Sequence, residues 1–473
     1  MISESNHLKT ILLMTVLSII SISLVLSNTI SSITTLFLMT IASICILFCI
    51  KLFIRMNINF DKLILIFTIS LGFFQSALFS VRIGPISLFP FRILFIVLFI
   101  WFVFKLVTSK VNTSHLNGNV SIHLGFFIFW LGYSILSLIW VKSLSDAINY
   151  IFLLAVGVFI VYFTVLYLKN SFDYIYLFSA WILVLIIIIG IGLWNHFTLN
   201  HLSSSYIYSA PEHKRAIPTS VFYNQNDFAS YLAISIYFLF AAFKYLKNYI
   251  LKSICLLLIL LSCYLMYVTD SRASILAVVF GFLVLFFLYL PTKIKKLTII
   301  ATTLVGLFSS ILFFNDILGF IGGSSSSIQE DNSLNIRTNL LKNSVDFVTN
   351  SFGFGVGAGN AEYYMENLSI YPTQGVLNVH NWWIEILVNN GVLVFVGYII
   401  LYLTILINLY SIFKTVNNRL EKMVCEALLG AFIAFIIASI SPSSISNLNY
   451  HWILLAFAIG FIHVIKNKES SSI

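Results

Sequence analysis

Four stretches of the chain combine side chains able to hold an anion or move a proton. Arg215 stands ahead of a cluster of amides, Asn224-Gln-Asn226-Asp227. Asp270-Ser271-Arg272-Ala-Ser274 follows an apolar run, and Arg337 precedes the glycine series Gly353-Phe-Gly355-Val-Gly357-Ala-Gly359. His380-Asn381-Trp-Trp-Ile-Glu385 opens a further apolar run that contains Asn389 and Gly391. Arginine presents a planar fork of donors that grips phosphate or carboxylate at two points and does not lose its proton. A helix N-terminus is a ready anion site, and a neutral imidazole can take a proton from a sugar hydroxyl. Each residue also has a plainer use. Asn226 or Asp227 can cap a helix, Asp270 can pair with Arg272, and His380 beside two tryptophans can belong to an interfacial aromatic belt. The glycines let backbone approach a ligand or a neighbouring helix closely, but they follow no predicted strand, so a dinucleotide fold is a poor reading.

The elements that must position these residues are set by composition. Of 473 residues, 60% are hydrophobic and 9% charged, with a mean hydropathy of +1.00. Soluble domains carry roughly a quarter charged residues, so this is an all-α integral membrane protein. About 20 apolar residues cross a bilayer core as helix. Fourteen such stretches lie near residues 10–28, 33–54, 63–80, 89–107, 122–140, 147–168, 174–195, 226–243, 250–268, 273–290, 297–314, 383–411, 424–440 and 449–465. The first is too long for a signal peptide and has no small-x-small cleavage site after it, so it is expected to stay. The five cysteines all fall inside apolar runs, which leaves no disulfide framework and no cysteine metal site. The net charge of +9 forms no stripe of the kind that binds nucleic acid.

Strict alternation with a cytoplasmic N-terminus puts eighteen of the 26 Lys and Arg inside and eight outside, and makes both termini cytoplasmic. Five of the seven arginines nevertheless fall outside, against three of nineteen lysines. Topology accounts for the lysines; an external surface that selects the guanidinium fork points to an anionic ligand there. Two external loops are long, roughly 196–225 and 315–380, and loops of that length in a compact protein are usually functional or disordered. The second holds the flexible-looking run Ser324 to Ser327, then apolar residues at helical spacing, Ile336, Leu340, Leu341, Val345 and Phe347. They predict a short amphipathic helix over 334–348 that lies on or re-enters the outer membrane surface.

In their order and spacing the four stretches resemble the O-antigen ligases and related bacterial polysaccharide polymerases. The resemblance runs from Arg215 to Gly391: an Arg before Asn-x-Asn, Ser271-Arg272-Ala at the outer end of a span, Arg337 ahead of Gly-x-Gly-x-Gly, and His380-Asn381 followed by Gly391. Ala273 stands where glycine is usual, Asn389 where an acidic residue is frequent, and fourteen spans exceed the twelve common in that family. It divides the chain into N-terminal spans, 1–195, and a ligase-like catalytic region, 196–473. The resemblance implies a glycosyltransferase of the bacterial cytoplasmic membrane with about 12–14 spans, using an undecaprenyl-diphosphate-linked oligosaccharide at the outer face.

On that reading His380, Arg272, Arg337 and Arg215 carry the chemistry, while Asn224, Asn226, Ser271, Gly355, Gly357 and Asn381 contact substrate. No cofactor is implied. No metal is required either, since the external loops hold no Asp-x-Asp, although Glu330 and Asp331 leave one conceivable. A flippase and a chain-length regulator are the expected protein partners. The favoured activity is a polymerase, whose acceptor is another lipid-linked repeat. A ligase, whose acceptor is lipid A core, protein or another surface anchor, stays open, and so does a transporter or lipid flippase.

Overall fold

The computed structural model describes residues 60–83, 86–108, 116, 119–296, 332–442, 444 and 447–470. They fall in two compact units that divide after Asn112. The expected spans at 10–28, 33–54 and 297–314, and the serine run at 324–327, lie outside the described residues.

In the first unit, α1 (Phe60–Gly72) and α2 (Pro90–Val107) flank a two-stranded antiparallel hairpin, β1 (Val81–Ile83) and β2 (Ile86–Leu88), paired Val81 to Leu88. Asp61 of α1 accepts from Trp101 Nε1 (2.8 Å) and pairs with Lys105 of α2. The expected span at 63–80 is therefore only a 13-residue helix. Gln75 adopts a left-handed φ of 48°, and the apolar residues beyond it enter a turn and the hairpin rather than a longer helix.

The second unit holds α3 (Asn119–Leu136), α4 (Leu144–Tyr167), α5 (Ser171–Thr198), α6 (Gln225–Tyr245), α7 (Tyr249–Val268), α8 (Arg272–Tyr289), α9 (Asn332–Asn350), α10 (Ala361–Asn367), α11 (Trp382–Thr415), α12 (Arg419–Ala438) and α13 (Asn449–Ser470). Among the described residues nine helices are long and apolar enough to cross a membrane, α2 to α8, α11 and α13. The chain is an all-α, multi-pass membrane protein. Asparagine side chains cap α6, α7, α11 and α12 through Asn224, Asn248, Asn381 and Asn418, each satisfying N–H groups that a helix start leaves unpaired.

α12 begins five residues earlier than its apolar run and carries four charges in its first two turns. Buried Glu426 accepts from Lys244 Nζ (2.8 and 3.0 Å) and from Tyr245 Oη (2.6 Å). Buried Glu421 pairs with Lys468 of α13 at 2.8 Å. Buried charge is tolerable only when paired, which is why hydropathy alone undervalues this central helix. α12 packs along α6 and α8, where the bare face of Gly281 admits Tyr237, whose hydroxyl donates to the Val278 carbonyl at 2.7 Å. Gly157 of α4 likewise admits the Trp452 ring of α13.

Candidate functional site

The expected twelfth span is two helices. Gly391 sits at φ 77°, ψ 179° inside α11, and the chain doubles back there. Trp382 Nε1 donates to Tyr398 Oη at 3.0 Å and the Trp383 and Tyr402 rings are 5.2 Å apart, so residues 382–390 run antiparallel to the span that follows. Trp382 thus lies ~10 Å from the corner along the second arm, at 1.5 Å per residue. Trp382, Trp130, Tyr398, His451 and Trp452 form a buried aromatic floor under the first arm.

The glycine series packs into this corner. Gly353, Gly355, Gly357 and Gly359 all have positive φ. Val356 N donates to Val388 O and Val392 N to Gly353 O, both at 2.8 Å. A Cβ on Gly355 would meet Val388 O at 2.7 Å and Gly391 N at 2.6 Å, and one on Gly357 would meet Val141 at 2.5 Å. Of the two uses the sequence allowed, close approach to a neighbouring helix is the one the structure displays. Asn389, in a position frequently acidic, receives the amide of Ala361 at 3.0 Å, and Asn390 links Ser134 (2.9 Å) to Tyr150 (2.8 Å). Replacing Gly391 by Ala is expected to destabilise the fold by about 3 kcal/mol, since the methyl group adds a clash with Phe354 to a backbone angle that L-residues avoid. Thermal unfolding in detergent measures it.

Directly before α11, His380 holds a left-handed φ of 53°, a conformation that costs a non-glycine residue about 1 kcal/mol or more. The carbonyls of Ser441 and Pro442 face its ring, while Nδ1 is buried and has no hydrogen-bond partner among the described residues. A carbonyl only accepts, so these two carbonyls favour a ring N–H turned toward them. Burial, first, and the charge of Arg337, second, push the imidazole below its ordinary pKa, against the pull of the two carbonyls. Both causes favour the neutral imidazole.

The loop residues 439–442 and 444 supply this setting. Ser439 O receives Trp382 N at 3.0 Å, and Ser444 Oγ donates to buried Glu385 at 2.9 Å. Sequence reading gave this loop no role. Its serine-rich run, Ser439-Ile-Ser-Pro-Ser-Ser, was the available signal.

Arg337 is exposed on α9 and within electrostatic reach of His380. Arg215 is half-buried in the loop over 199–224, where its Nε donates to Ala210 O (2.8 Å) and its carbonyl accepts from His201 Nε2 (2.8 Å). Neither arginine has a carboxylate partner among the described residues. Arg272 is exposed as the first residue of α8, after Asp270 at φ 52° and buried Ser271, whose Oγ lies 3.0 Å from Ser274 Oγ. Asn224 accepts from Asp227 N (2.9 Å) and Asn381 from Trp383 N (3.0 Å) as caps, while Asn226 is half-buried in the first turn of α6.

Heights follow from two contacts. Ser230 Oγ donates to Ala438 O at 3.0 Å, and Gly281 lies against Ala434. Counting 1.5 Å per residue puts Asn224 about 9 Å and Arg272 about 7.5 Å outward of the end of α12, whose next residue holds Trp382. Arg337 is close enough to His380 for its charge to act on the ring. The structure places Arg272 and Asn224 on the same side of the membrane-spanning bundle, further out.

The family model described as O-antigen ligase matches residues 256–399, a stretch that takes in Arg272, Arg337, the glycine series, His380 and Asn381 but not Arg215 or Asn224. The teichuronic acid biosynthesis protein TuaE of Bacillus subtilis (strain 168) is 37% identical over 410 residues, 85% of this chain and 84% of its own. On this match the chain, a multi-pass helical membrane protein, belongs to the O-antigen ligase family.

Proposed function

We propose that the protein is a membrane glycosyltransferase that moves a glycan from an undecaprenyl-diphosphate carrier to a sugar hydroxyl at the outer face of the bacterial cytoplasmic membrane. The observation that carries this reading is His380: its buried Nδ1 has no hydrogen-bond partner among the described residues, and its pKa is held down by burial and by the charge of Arg337, which has no carboxylate partner among the described residues. A base next to a cation suits a reaction in which a hydroxyl loses its proton while negative charge grows on a leaving group. In the transfer, the acceptor oxygen bonds to the anomeric carbon and its proton passes to Nδ1. The bond from that carbon to the phosphate oxygen breaks, and its electron pair leaves with the diphosphate.

Arg337, Arg272 and Arg215 hold the diphosphate in this account. Asn226 and Ser271 lie at the outward helix starts where an anion is favoured, Asn224 and Asn381 keep those starts in shape, and Gly355 and Gly357 hold the corner at the far end of the arm that His380 precedes. All these residues fall in the region 196–473. A flippase that supplies the carrier and a regulator of chain length would work beside the protein.

Of the two acceptors, another lipid-linked repeat is favoured; the name of the relative, a teichuronic acid biosynthesis protein, is in keeping with a polysaccharide product. Cells lacking the gene are expected to accumulate single repeat units on the lipid. Long polymer on the lipid would instead assign a ligase.

A further inference from the structure

The amphipathic helix expected over 334–348 is present as α9, but its main apolar side is not free to lie on a membrane. Leu340, Phe347 and Val348 pack with Val356, Met365 and Val379 inside the cap. A second, narrower apolar side remains. At 100° per residue, Arg337, Leu341 and Val345 fall in one line at i, i+4 and i+8, and Leu341 and Val345 are exposed.

That line ends at a tip of two phenylalanines. Phe352 is 90% and Phe354 63% exposed, and Phe352 is held at φ 51°, so a strained backbone carries a ring that touches almost nothing. Leaving a phenylalanine in water forgoes the gain of burying its apolar surface. The tip is tied to two spans, through Tyr133 Oη donating to Phe354 O and Val392 N donating to Gly353 O, both at 2.8 Å. At Val392 the outward face of the α11 span begins, with Val392 and Leu393 exposed as lipid-facing residues are.

We infer that the cap docks on the outer leaflet of the bilayer through the Phe352 and Phe354 tip and the Leu341–Val345 line, with Arg337 at the headgroup end of that line. The occupant is the acyl region of bilayer lipid, because the phenylalanine tip is tied directly to two spans and adjoins the exposed Val392 and Leu393 on one of them. The polar side of α9, with Lys342 and Asp346, is turned elsewhere on the helix. Aromatic rings favour this interface and a cation at its margin reaches the phosphates. The inference holds whether or not the protein transfers glycan.

The test uses the full chain in vesicles of phosphatidylethanolamine and phosphatidylglycerol, with photoreactive p-benzoylphenylalanine placed singly at Phe352, Val345, Leu393 or Asp346. After irradiation, adducts of phospholipid mass are expected at 352 and 345 in yield comparable to 393, and are expected to be lost at 346. In the Phe352→Ser, Phe354→Ser double variant the adduct at 345 should fall while that at 393 stays, which separates lost docking from lost folding. No lipid adduct at 352 and 345 while 393 reacts would overturn the inference. Adducts of prenyl-lipid mass alone would also overturn it, assigning the surface to the donor's chain.

Discussion

Replacing His380 by alanine is expected to lower the rate of glycan transfer about a thousandfold while the protein still inserts and folds, within the 10²–10⁴ range for loss of a general base. That loss amounts to ~4 kcal/mol in the transition state. The expectation rests on the ring's surroundings: the Ser441 and Pro442 carbonyls face it, and Nδ1 is buried with no hydrogen-bond partner among the described residues. A structural histidine buried this deeply would ordinarily use both nitrogens. Glycine at the same position provides a control, because it relieves the left-handed backbone. His380→Gly should therefore be at least as stable as His380→Ala and equally inactive. Transfer at the normal rate by either variant would remove the base from the mechanism.

The second large effect belongs to Arg337. Arg337→Gln should slow transfer on the order of a hundredfold, the usual loss of one donor aimed at developing charge, and should also move the pH profile. The arginine charge is the second cause holding the His380 pKa down, after burial. The base works only when unprotonated, so activity falls as pH drops through that pKa, and the acidic limb of kcat/KM lies below the ordinary histidine value of about 6.5. Without the arginine the His380 pKa rises and the limb moves to higher pH. Arg337→Lys separates the two contributions: the charge stays, so the limb should stay, while the two-point grip and most of the rate are lost. A slower Gln variant with an unmoved limb would show that Arg337 does not act on His380 in solution.

Much of this architecture was legible in the amino-acid sequence because bilayer thickness makes long apolar runs unambiguous. α2 to α8 and α13 begin and end within a few residues of their apolar stretches. Reading failed where an apolar run has a local break. Gln75 stops α1 after 13 residues, and Gly391 folds one expected span into two arms; neither changes hydropathy. α9 was visible by its period, but a period cannot say whether an apolar side meets lipid or protein, and most of that side meets the cap. At the candidate site, the arginines and His380 stood out by type and spacing. Their supports did not. The glycines act through contacts with residues tens of positions away, such as Gly355 with Val388 and Gly391, and the loop residues 439–442 and 444 reach His380 and Glu385 across some sixty residues. Such partners become visible only when the helices are packed.

The central claim is tested most directly by reconstituting the purified protein in vesicles with an undecaprenyl-diphosphate-linked oligosaccharide and following both lipid and glycan. The account predicts that undecaprenyl diphosphate is released as glycan joins a second lipid-linked unit, and that the His380→Ala protein releases none. A donor that stays intact in the presence of wild-type protein and acceptor, or equal release by wild type and variant, would contradict it.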